Sequence, residues 1–145
     1  RYHFQSNKEM FLLDLSSNLI EFIEVYSFSH TSLTDLLISN NRLKYFNGFL
    51  FSTEVFLHLN RLDLNNNQLI SFSISNAKAL VELDLSHNEI QILDENVFYN
   101  LKNLRYLNLS SNYIKAIYKN LFKDLFILKS LDLSQNEISK LDNLT

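Results

Sequence analysis

The sequence predicts an α/β solenoid, a curved array whose short strands align as a concave parallel β-sheet of about six to seven strands, with an irregular convex side. Three observations carry this. Asparagine recurs at one point in six copies of a single pattern, at Asn18, Asn41, Asn67, Asn88, Asn112 and Asn136. The spacings are 23, 26, 21, 24 and 24 residues, as in stacked repeats, and no second domain interrupts them. Each copy also holds a stretch of alternating apolar and polar residues, the period-two mark of a strand with one buried face.

Taken in order, the copies are Met10/Leu13/Leu15/Asn18/Ile20, Leu33/Leu36/Ile38/Asn41/Leu43 and Leu59/Leu62/Leu64/Asn67/Leu69. Then follow Leu80/Leu83/Leu85/Asn88/Ile90, Leu104/Leu107/Leu109/Asn112/Ile114 and Leu128/Leu131/Leu133/Asn136/Ile138. The fourth and fifth fit L-x-x-L-x-L-x-x-N-x-L at every position. This pattern resembles the leucine-rich repeat family, whose fold is a horseshoe. After Ile90 come Leu93, Phe98 and Leu101, and after Ile114 come Ile117, Phe122 and Leu125. That second half is similar to the typical repeats of animal extracellular receptors and matrix proteins. Plant receptor repeats carry Gly and Pro after the asparagine, and this chain has one glycine, Gly48, and no proline.

Each slot has a physical role. Leu107 and Leu109 are expected to face inward, with Tyr106, Asn108 and Ser110 facing out. The inward Leu and Ile side chains stack from turn to turn, each burial contributing roughly 1.5–3 kcal/mol, and no repeat folds alone. The asparagines are read as scaffold, because an amide supplies both a donor and an acceptor where the chain turns inward away from water. Phe28, Phe98, Phe122 and Phe51 are expected to pack as a column under the convex side, while the short copy after Leu69 has no room for one.

One array is expected to fill residues 1–145, in about six repeats and truncated at both ends. Phe4 falls in the Phe slot of a repeat otherwise missing, and the last copy stops just past Leu141. Solenoids need caps over their terminal core, and the cysteine-rich caps of extracellular relatives are absent, since the chain has no cysteine. The chain therefore reads as an internal segment of a longer protein, the alternative being a short cysteine-free protein whose first nine residues improvise a cap.

A 46% hydrophobic content suffices for a core, and no apolar run is long enough for a membrane span. Net charge is −3 with 13 basic and 16 acidic residues, so no nucleic-acid surface is indicated. Nineteen asparagines beside abundant Phe, Tyr, Ile and Lys match the codon bias of an AT-rich genome. His3, His30, His58 and His87 stand singly in different repeats, without the spacing of a metal site. An open sheet provides no water-excluding pocket for a hydrolytic triad, and no Gly-rich phosphate loop exists. The segment is read as non-enzymatic, with no cofactor and no metal.

Recognition remains. The outward strand positions form two columns, Leu12, Asp35, Arg61, Glu82, Tyr106, Ser130 and Asp14, Leu37, Asp63, Asp84, Asn108, Asp132. The second is acidic. It reads either as a solvated strand face or as a negative strip for a cationic partner, its acids about 5 Å apart. The candidate ligand-binding residues are Leu37, Arg61, Asp63, Glu82, Asp84, Tyr106 and Tyr113. Two glycosylation sequons, Asn108-Leu-Ser110 and Asn143-Leu-Thr145, bear on compartment. A glycan on Asn108 would block the concave centre and move binding to a flank. Convex residues Phe49, Leu50, Phe56 and Phe126 read either as receptor dimer contacts or, at least as well, as packing against the next repeat.

The resemblance implies a segment of an animal innate-immune or developmental receptor ectodomain of Toll type, extracellular or at the cell surface, which binds a protein or other macromolecular ligand. A secreted or matrix binding protein and an intracellular scaffold are the alternatives.

Overall fold

The computed structural model describes residues 9–24, 27–28, 31–47, 58–74 and 77–141. Phe4, His3, His30, Phe49, Leu50, Phe51, Phe56 and the Asn143 sequon lie outside the described residues. Among the described residues ten short strands run in chain order: β1 Leu12–Asp14, β2 Asp35–Leu37, β3 Tyr45–Asn47, β4 Arg61–Asp63, β5 Ser71–Ser73, β6 Glu82–Asp84, β7 Tyr106–Asn108, β8 Ala116–Ile117, β9 Ser130–Asp132 and β10 Lys140–Leu141. Six of them form one parallel sheet in the order β1-β2-β4-β6-β7-β9. Each turn contributes one strand in the same direction, so the sheet is parallel without any crossover helix. Among the described residues no helix forms, and the convex segments 95–100 and 119–124 run as turns.

The register pairs equivalent residues of successive copies. Leu36 stands opposite Leu62, Leu62 opposite Leu83, Leu83 opposite Leu107 and Leu107 opposite Leu131. Leu36, Leu62, Leu83 and Leu107 are buried, and the Leu59/Leu64, Leu80/Leu85 and Leu104/Leu109 slots with them. At the last strand this shielding ends: Leu131 is 37% exposed against 2% for Leu107. The ladder continues past the strands, where Leu85 N–H donates to Asn108 O at 2.9 Å and His87 N–H to Ser110 O at 3.0 Å.

From the second copy on, the asparagine ties two turns together, while Asn18 bonds within its own turn, to the carbonyls of Leu15 and Ser16. Asn88 Nδ2 donates to the carbonyls of Leu85 (3.0 Å) and Ser86 (3.1 Å) in its own turn and of Leu64 (3.0 Å) in the preceding one. Its Oδ1 accepts the Leu69 N–H at 3.0 Å. Asn41, Asn67, Asn112 and Asn136 repeat the pattern. The residue before each ladder asparagine is left-handed, with φ between 52° and 57° at Ser17, Asn40, Asn66, His87, Ser111 and Gln135. That conformation turns the chain inward, at roughly 1–2 kcal/mol for a residue with a Cβ, and the ladder hydrogen bonds offset it.

The phenylalanine column forms as expected at Phe28, Phe98 and Phe122, the last two rings stacked 5.9 Å apart. Each stands ten residues beyond its ladder asparagine, and Ala77 holds that offset after Asn67. Ala77 is buried, the small side chain that the shortest turn accommodates. One expectation is corrected. Ser110 does not face out but is buried, as are Ser39 and Ser86 at the same slot, because the chain has already bent toward the core.

Two further parallel pairs, β3 with β5 and β8 with β10, lie on the flank that follows each asparagine. Phe46 and Phe72 face each other across the first, their rings stacked at 5.8 Å.

Candidate functional site

Both outward columns exist as aligned rows. Arg61, Glu82, Tyr106 and Ser130 are register partners in one, and Asp63, Asp84, Asn108 and Asp132 in the other. Together with Leu62, Leu83 and Leu107 beneath, they line a shallow depression of about 240 Å³. Five of the expected site residues therefore meet there: Arg61, Asp63, Glu82, Asp84 and Tyr106. Leu37 pairs with Asp63 one strand away and does not line it. Tyr113 lies beyond the strand, on the flank, its N–H bonded to Ile90 O at 2.9 Å. Ser130, Asp132 and Asn108 complete the lining. Ser130 and Asp132 stand in the same sequence columns, and their membership of the site follows from the register alone.

One guanidinium and four carboxylates line the depression. Arg61 Nε lies 3.6 Å from Glu82 Oε2, an exposed pair worth about 0–1 kcal/mol. Burial pushes the Asp63 carboxyl above its usual 3.8 and the charge of Asp84 adds to this, while the Asn65 N–H and Arg61 pull the other way. Asp132 is held below 3.8 by the hydroxyl and N–H of Ser134. The depression is thus negative, and burial, with Asp84 adding to it, disfavours the ionised form of one of its acids, Asp63.

The acids also have a local task that periodicity does not reveal. Asp84 Oδ1 accepts the N–H and the hydroxyl of Ser86 at 2.9 and 2.6 Å, and Asp14, Asp63 and Asp132 accept the N–H two residues on. These are Asx turns that close the strand end. Asn108 does the same for Ser110, through Oδ1 at 3.1 and 2.8 Å. Its Nδ2, the atom a glycan would occupy, points to Asp84 Oδ2 at 3.4 Å.

A short strand, an inward turn and an asparagine recur in every copy, the asparagine buried at Asn41, Asn67, Asn88 and Asn112, and the family described as leucine rich repeat matches residues 58–114. The fold and residue pattern are those of the leucine-rich repeat. Among solved structures the chain is similar to the TLR13–ssRNA13 complex, at 26% identity and TM-score 0.60 over 90% of this chain and 22% of that one. It is also similar to the Toll–Spatzle complex of Drosophila, at 20% identity and TM-score 0.58 over 89% and 24%. A leucine-rich repeat protein of Leptospira interrogans matches at 23% identity and TM-score 0.61 over 91% and 42%. The chain spans less than half the length of each of these three. No curated protein sequence matches it. Their hydrogen bonds from turn to turn make the ladder asparagines scaffold, and the concave rows face outward. No helix among the described residues is long and apolar enough to cross a membrane.

Proposed function

We propose that this leucine-rich repeat chain is a non-enzymatic binding segment of a Toll-type receptor ectodomain in an animal, placed outside the cell. Its concave depression takes a cationic face of a protein or other macromolecular ligand. The observation that carries the reading is a recess lined by four carboxylates, Tyr106 and a single arginine. A field of one sign in a concave surface raises the local concentration of an oppositely charged partner. Tyr106 adds an exposed aromatic ring of the kind that anchors interfaces. The similarity to TLR13 in complex with RNA and to Toll in complex with Spatzle supports a role in ligand binding.

The test is a titration of the purified chain with dye-labelled oligolysine, with oligoglutamate as the control. Oligolysine binds, its affinity falls steeply with salt, and Asp84→Lys weakens it by about tenfold, roughly 1.4 kcal/mol. Equal binding of the two probes overturns the concave assignment. The Asn108 sequon is a competing use of the same surface. Mass mapping of secreted protein with and without glycosidase decides between them, since an unmodified Asn108 leaves the recess open and a glycan fills it.

A further inference from the structure

Among the described residues, exposed apolar side chains are more numerous on the flank than on the outward strand face, where Leu12 and Tyr106 stand. Leu19, Phe22, Tyr45, Ile70, Ile92 and Tyr113 all stand within the few residues that follow a ladder asparagine. Leu19, Phe22 and Tyr45 are 70%, 75% and 64% exposed. Single exposures of this kind are ordinary, but a run along one side of adjacent turns is a patch, and patches mark interaction sites.

The first part of this run has both shape and charge. Glu21, Phe22, Arg42, Lys44, Tyr45 and Gln68, from three successive turns, line a depression of about 700 Å³. Ribbon hydrogen bonds fix its floor, Arg42 N–H to Ile20 O and Gln68 N–H to Leu43 O, both at 2.9 Å. Arg42 Nη1 comes no nearer than 4.0 Å to Glu21, and both side chains are exposed, so the pair contributes little. Lys44 has no ion-pair partner among the described residues. The recess carries two cations against one carboxylate in a chain of net charge −3, opposite in sign to the concave depression.

We infer that this flank is a second interaction surface, which takes an acidic and apolar segment of a partner protein. Carboxylates of the partner meet Lys44 and Arg42, and an apolar side chain seats against Phe22 and Tyr45. Two copies of the chain do not satisfy the site by symmetry, because a two-fold contact through it brings four cations against two carboxylates. A nucleic-acid backbone requires a continuous track of cations. Here Glu21 interrupts it, and Glu89 and Glu137 take the position of Arg42 in later turns.

The experiment is fluorescence anisotropy of the purified chain with a labelled peptide alternating Glu with Leu and Phe. A matched peptide with Lys for Glu and an oligouridylate serve as comparison probes. The acidic peptide binds best, and Lys44→Glu, Tyr45→Ser and Phe22→Ser each weaken it by about tenfold. All three positions are exposed, so the variants keep the parent melting temperature, and they keep oligolysine binding as well. The inference is overturned if the acidic and basic peptides bind alike, if the flank variants bind like the parent, or if oligouridylate is preferred. Light scattering that shows a dimer dispersed by Tyr45→Ser also overturns it.

Discussion

At the scale of single residues, the ladder asparagines and the strand-end acids look alike in the sequence and differ in what water can reach. Asn88 is buried, and its four hydrogen bonds satisfy three carbonyls and the Leu69 N–H. Asn88→Ala leaves those groups unpaired and costs about 1–3 kcal/mol in urea unfolding. Asn18→Ala, at the exposed first turn, costs less than about 0.5 kcal/mol. Asp63 gives a pH signature instead. Its folded pKa is raised, so its contribution to stability is present below 3.8 and is lost as pH rises through the folded value. At neutral pH the ionised carboxylate is a burden. Asp63→Asn therefore melts above the parent at neutral pH, and the gap closes as pH falls below 3.8. Asn108, which closes the same turn in its own copy, shows that an amide fits the slot. Asp14 and Asp132 run the other way: their pKa values are lowered, so their contributions hold above 3.8 and fade as pH falls through their folded values.

At the scale of elements, a strand of three residues has no stability of its own, and each gains it from the copies on either side. The Phe98 and Phe122 rings stack beneath the convex turns and couple two copies at once. Phe98→Ala empties a fully buried site and costs about 3–5 kcal/mol, read as a shift of the urea midpoint with an unchanged slope. A loss below about 1 kcal/mol would mean the convex column is not part of the cooperative core. The strands, the asparagine ladder and the phenylalanine column were legible because each repeats with a fixed offset, as Phe28, Phe98 and Phe122 do. The flank pairs β3/β5 and β8/β10 were not, because their pairing depends on turn lengths that vary from copy to copy. Ser110 was misread for a related reason: strict alternation holds only within a strand, and the chain leaves the strand at Asn108.

At the scale of the whole molecule, one scaffold presents two surfaces of opposite charge. The concave recess was partly legible, since the columns follow from repeat register and Arg61, Asp63, Glu82, Asp84 and Tyr106 do meet. The columns also held Ser130 and Asp132, and what sequence could not give was the edge of the recess that leaves out Leu37 and Tyr113. Those limits depend on sheet curvature and on which way the chain bends after Asn112. The most direct test of the concave reading is hydrogen–deuterium exchange of the chain with and without oligolysine. Protection confined to residues 61–63, 82–84, 106–108 and 130–132 is the expected result. Protection on the flank alone, or none at binding saturation, would contradict the concave face as the binding surface.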